Sequence, residues 1–179
     1  MAVRPHIVKL LVALASTIGL VACVSITATG VSTFSSSKAH FSATVPNGAM
    51  DEQTAKGAGH WEGAVVETFV NTQPNGTRFV VVTVASTDGY PQPAEVESAL
   101  DAMEASNVAN TGGTQTSERQ LQVGGLPGRE QVISSTSASY VFRMVIRDTR
   151  AWLWSVKGTD VTAQDAMAVL FLDSFALLP

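Results

Sequence analysis

Few side chains in this chain could do chemistry. The only cysteine, Cys23, closes an apolar run at Leu20-Val21-Ala22-Cys23. One thiol cannot form an intrachain disulfide, so a covalent framework is excluded. His40 and His60 are 20 residues apart, and Asp51, Glu52 and Glu62 lie in the same region. A histidine with two carboxylates could serve general acid–base hydrolysis in a His60/Glu52/Glu62 cleft. Two histidines and a carboxylate could hold zinc, but no metal-ligand spacing supports that use. Serine catalysis lacks the Gly-x-Ser-x-Gly elbow. Gly124, Gly125 and Gly128 could shape a backbone nest for an anion, with Arg129 beside it. No Gly-Lys-Ser/Thr follows, so this is not a phosphate-binding loop, and a turn before a strand explains the glycines better. Trp61, Trp152 and Trp154 could line a pocket for an apolar ligand or sugar. Trp152 and Trp154, two residues apart, fit a buried strand face better. The sequence thus nominates no catalytic residue and no metal ligand. Its binding candidates are Trp61, Trp152, Trp154 and Arg129.

The thiol has the clearest context. Arg4 and Lys9 precede a stretch from Leu10 to Ala22 that is almost wholly apolar or small. That is the build of a secretory leader. Leu20-Val21-Ala22-Cys23 matches the lipobox pattern, in which the thiol receives a diacylglycerol and cleavage makes the cysteine the new N-terminus. An ordinary cleaved signal and an uncleaved anchor helix are the alternatives, and neither gives Cys23 a use. The expectation is a leader over residues 1–22, lipidation at Cys23, and attachment to a cell membrane or outer membrane. The remaining domain then faces the periplasm or exterior, held by acyl chains such as palmitate, each of which strengthens membrane binding.

Composition narrows the partners. The net charge is −4, and loss of Arg4 and Lys9 with the leader takes it to −6. An acidic domain lacks the basic stripe that nucleic acid requires. Anionic lipid head groups would not attract it either, so membrane contact must come from the anchor. Without further cysteines, stability rests on burial of apolar surface.

Positioning elements follow from the pattern. Residues 23–38 are rich in Ser, Thr, Ala and Gly and read as a flexible tether. The folded domain is expected over 39–179. Phe41, Ala43 and Val45 alternate along a strand that ends at a Pro-Asn-Gly turn. Runs from Trp61 to Asn71 and from Arg78 to Ala85 flank Asn75-Gly76, a strong hairpin signal. Pro93 opens a helix to about Asn107, with Val96, Ala99, Leu100 and Met103 as its apolar stripe. Its acidic residues Glu95, Glu97, Asp101 and Glu104 read as a solvated face. Strands resume at Gln115–Val123 and Gln131–Ser135. Tyr140, Phe142, Met144 and Ile146 share one face of the next strand, opposite Val141, Arg143, Val145 and Arg147. Trp152, Trp154 and Val156 share a face of the strand after it. A last helix spans about Ala163 to Leu172, packing through Ala166, Met167, Leu170 and Phe171. The class is α+β, a mostly antiparallel twisted sheet flanked by helices.

This order resembles the PsbP-like (Mog-like, LpqN-type) α/β/α sandwich. The resemblance rests on Phe41-Ser42-Ala43-Thr44-Val45-Pro46, Gly125-Leu126-Pro127-Gly128-Arg129-Glu130 and Phe171-Leu172-Asp173-Ser174-Phe175, which bracket about residues 40–177. It implies a binding or assembly factor without a shared active site, and no family residue carries over. The expected function is a lipid-anchored, non-catalytic envelope module for a protein or small hydrophobic ligand, without cofactor. A hydrolase built on His60, Glu52 and Glu62 and a purely structural envelope component are the alternatives.

Overall fold

The computed structural model describes residues 30–46, 49–56, 64–86 and 93–179. Cys23, His60, Trp61 and Glu62 lie outside the described residues, and so do the leader and most of the expected tether.

Among the described residues the chain forms two antiparallel sheets and two α-helices. The large sheet has seven strands in the order β3-β4-β5-β9-β8-β7-β6. They are β3 Asp51–Lys56, β4 Val65–Thr72, β5 Arg78–Ala85, β6 Thr114–Val123, β7 Leu126–Ser134, β8 Ser139–Arg147 and β9 Arg150–Gly158. The small sheet holds β1 Val31–Ser36, β2 Phe41–Pro46 and β10 Ala176–Leu177, with β2 central. Helix α1 (Val96–Thr111) follows a 3-10 turn at Pro93–Glu95, and α2 (Ala166–Ser174) precedes β10.

The period-two pattern of β8 and β9 makes both faces of the large sheet apolar, so each needs a cover. Phe142, Met144, Ile146 and Leu153 face α1, which docks Ala99, Leu100 and Met103 on them. Val141, Val145, Trp152, Trp154 and Val156 face the other way, under the small sheet and α2. There Phe34, Phe41, Phe69 and Phe175 form a linked aromatic cluster with ring centroids 5.0–5.8 Å apart. Trp154 stacks on Phe175 at 4.0 Å. The result is a three-layer α+β domain, mostly β.

Turn chemistry matches the glycines. Gly124 and Gly125 take φ of 57° and 82°, which lets a two-residue loop join β6 to β7. They are turn residues, not an anion nest. Gly112 caps α1 with φ 60°, its N–H bonded to Val108 O at 3.1 Å.

Several elements differ from the sequence expectation, and α1 runs on to Thr111. Residues 31–36 are not tether: β1 pairs with β2 along its whole length and inserts Phe34 into the core. β3, polar but for Ala55 as Asp-Glu-Gln-Thr-Ala-Lys, was not expected; it is an edge strand bonded only to β4. The strand after the hairpin begins at Leu126, not Gln131, because the Gly-Gly turn starts pairing at once. α2 starts three residues late, and its inward face is Ala168, Phe171 and Leu172. Met167 and Leu170, expected to pack, are 39% and 36% exposed.

Candidate functional site

β7 places the charged residues Arg129 and Glu130 in succession, and alternation sends them to opposite faces of the sheet. Arg129 turns toward α1. Its Nη2 donates to Glu97 Oε2 at 2.6 Å and to Asp101 Oδ1 at 3.3 Å. Its Nε lies 4.0 Å from both Glu104 Oε2 and Glu118 Oε1, too far for a hydrogen bond. Burial works against the Arg129 charge, but hydrogen bonds to Glu97 and Asp101 outweigh it and raise its pKa. The acidic stripe of α1 is therefore not simply solvated: it clamps a buried guanidinium. Arg129 belongs to the α1–sheet seam and is not a free anion ligand.

Glu130 points to the α2 side. Arg119 grips it with two bonds, Nε to Oε1 at 2.6 Å and Nη2 to Oε2 at 3.0 Å. Arg143 Nε adds a third at 2.7 Å and holds Asp173 of α2 through Nη1 at 2.6 Å. Burial pushes the Glu130 carboxyl up, but the arginine hydrogen bonds prevail and its pKa falls. These partners make Arg119 and Arg143 ties between strands and helix.

Trp152 and Trp154 are 1% exposed. Their indole N–H groups donate to Ala39 O at 2.8 Å and Leu172 O at 3.1 Å, joining the layers. Arg147 and Arg150 lie over Trp152 at 5.4 and 5.9 Å. These tryptophans are core, so they are withdrawn as ligand contacts. Glu52 lies 3.8 Å from Lys38 Nζ, which also pairs with buried Glu67 at 2.7 Å. Arg150 Nη1 approaches Glu67 at 3.4 Å, and Thr83 Oγ1 donates to it at 3.2 Å. This end of the molecule ties the β1–β2 turn to the sheet.

Among the described residues a cleft of about 740 Å³ lies between the β4–β5 hairpin and the start of α2. It is backed by the core: Phe79, Val156 and Ala168, all buried, lie beneath its floor. One wall is the Asn75-Gly76 turn, fixed by Gln73 N–H to Thr77 O at 2.8 Å and Thr77 N–H to Asn75 Oδ1 at 3.0 Å. The other wall runs into α2, where Asp165 Oδ2 accepts the Thr162 N–H at 2.7 Å. Asp160 and Asp165 make its rim acidic, and none of its described lining residues is basic. Met167 lines the cleft, and Leu170, one turn further along α2, extends the exposed apolar surface. Such a site suits an apolar body with neutral or cationic ends. Sequence showed both the hairpin and the helix start, but nothing local signals that they face each other.

The solution structure of the cyanobacterial PsbP protein, CyanoP, of Synechocystis sp. PCC 6803 superposes with a TM-score of 0.56 at 12% identity. The match covers 88% of this chain and 98% of that one. The fold is PsbP-like. A Bacteroides thetaiotaomicron VPI-5482 protein aligns over 82% of this chain and 48% of its own length at 14% identity, with a TM-score of 0.39 too low to carry weight. No family profile matches the sequence, and no curated protein does. At this identity the likeness establishes the fold alone.

Proposed function

We propose that this chain is a lipid-anchored cell-envelope protein whose PsbP-like domain is a non-catalytic binding module. The domain takes a small hydrophobic ligand, or an apolar segment of an envelope protein, into the cleft between the β4–β5 hairpin and α2. The observation that carries the reading is that cleft: a concave site backed by core residues, next to exposed Met167 and Leu170. Exposed apolar side chains grouped beside a concave site mark a contact surface rather than random leakage of the core. The lipobox at Leu20–Cys23 supports attachment to the membrane through Cys23, with no cofactor and no nucleic acid.

Two measurements test it. Titration of the full chain with the neutral fluorophore Nile red reads the cleft: saturable uptake is expected, and Met167→Glu should abolish it. Equal uptake by wild type and Met167→Glu contradicts the assignment. Cell fractionation and intact mass read the anchor: wild type partitions with membranes and carries acyl mass, while Cys23→Ser does neither. Unchanged fractionation and mass in Cys23→Ser contradict lipidation.

A further inference from the structure

The seam between α1 and β7 holds more acid than it can neutralise. Glu97, Asp101, Glu104 and Glu118 surround Arg129, which spends its hydrogen bonds on Glu97 and Asp101. Glu97 and Asp101 are more than half exposed, so water shares their charge. Glu104 is different, at 7% exposed. Its Oε1 has no hydrogen-bond partner, and neither does Asn107 Oδ1 or Arg129 Nε. All three atoms belong to side chains more than nine-tenths buried at this seam. The rest of the polar layer is satisfied. Asn107 Nδ2 donates to Gln131 Oε1 at 3.0 Å, and Gln131 Nε2 donates to Glu104 O at 3.0 Å.

Two buried acceptors, Glu104 Oε1 and Asn107 Oδ1, stand three residues apart on one helix with no donor bonded to either, and the nearest cationic donor, Arg129 Nε, stops 4.0 Å from Glu104 Oε2. Leaving such groups unmet is costly. A proton on Glu104 removes the buried charge and turns one orphan acceptor into a donor. We propose that the α1–β7 seam is a proton-binding site, with Glu104 protonated when α1 is docked, and that loss of this proton loosens α1 from the sheet.

The surroundings agree from every side. On its own helix Glu104 faces Glu97 and Asp101; β6 contributes Glu118, and β7 contributes Arg129, the one cation acting on it among the described residues. β8 presents Tyr140, Phe142, Met144 and Ile146 to α1, of which only Tyr140 titrates, and its ring stacks on Phe142. Burial first, then the Glu118 charge, lift the Glu104 carboxyl from 4.5 to about 7 against the pull of Arg129. The folded seam therefore keeps a proton that the open state releases near 4.5. Docking is strongest and level below that value, weakens as pH rises from 4.5 to about 7, and is level again above it. One proton taken up on closing changes the closed-to-open ratio about tenfold per pH unit within that window.

Amide hydrogen exchange on the full chain tests this, read as protection of the α1 amides after correction for intrinsic exchange. Wild type should lose protection about tenfold per pH unit between about pH 5 and about pH 7. Glu104→Gln, which has the shape of the protonated acid, should keep α1 protection constant across that range. Flat protection in wild type, or an unchanged slope in Glu104→Gln, overturns the proposal. The wild-type slope needs no variant, so the test stands even if Glu104→Gln folds poorly.

Discussion

Arg129 and Glu130 are neighbours in one strand, yet they meet opposite electrostatic fates. On the α2 side, Glu130 receives three hydrogen bonds from Arg119 and Arg143, and Arg143 is shared with Asp173. Two cations face two carboxylates, and the buried acid is content to be charged. On the α1 side, Arg129 meets Glu97, Asp101, Glu104 and Glu118, and the buried acid is left without a donor. Burial acts on both carboxyls. Hydrogen-bond supply decides the sign, lowering the pKa of Glu130 and raising that of Glu104. A sheet with two covered faces can thus carry one fixed joint and one proton-dependent joint on adjacent residues.

The largest expected effect is on the fixed joint. Glu130→Leu leaves the guanidinium groups of Arg119 and Arg143 without their central acceptor, and should cost about 3–5 kcal/mol in chemical denaturation at neutral pH. A cost below about 1 kcal/mol would show that solvent already satisfies those arginines. Next comes Arg129→Met, which removes the cation of the other joint. It should destabilise by roughly 1–3 kcal/mol, more at pH 8 than at pH 5, because at the lower pH Glu104 is already neutral. Equal costs at the two pH values would erase the contrast between the faces.

The pH profile of stability sharpens the comparison further. Glu130 has a depressed pKa, so its contribution is present above about pH 4.5 and fades as pH falls through its folded value. Glu104 works in the opposite sense, weakening the fold as pH rises from 4.5 to about 7. Unfolding free energy should therefore peak near the acid end of that window, and Glu104→Gln should remove the decline on its alkaline side. The smallest effect belongs to Met167→Glu, which should change stability by no more than about 0.5 kcal/mol while removing Nile red uptake. A large stability loss there would mean that Met167 is core after all.

The pattern of the chain revealed the layers better than the joints. Alternation in β8 and β9 placed Phe142, Met144 and Ile146 opposite Val141 and Val145, and the tryptophans on a shared face, as found. The edges were harder, because β1 and β3 bury little: β1 contributes Phe34, and β3 is polar but for Ala55. Each pairs on one side only, with the next strand of the chain, so neither needs an alternating apolar face. The α2 stripe was misread because Met167 and Leu170 suit a buried helix face by type, while the docking geometry selects Ala168, Phe171 and Leu172. The acids of α1 read as solvated for a similar reason. Their partner Arg129 comes from a strand some 30 residues later, and only the fold shows that Glu104 lies beneath it. The cleft has the same origin, since its two walls are far apart in sequence.

The most direct test is a carbon-13 NMR titration that follows the side-chain carboxyl carbons of Glu104 and Glu130 in the same sample. The account predicts a midpoint of about 7 for Glu104 and a midpoint below 4.5 for Glu130. Both carboxyls titrating together near 4.5, or Glu130 protonating at the higher pH, would contradict it.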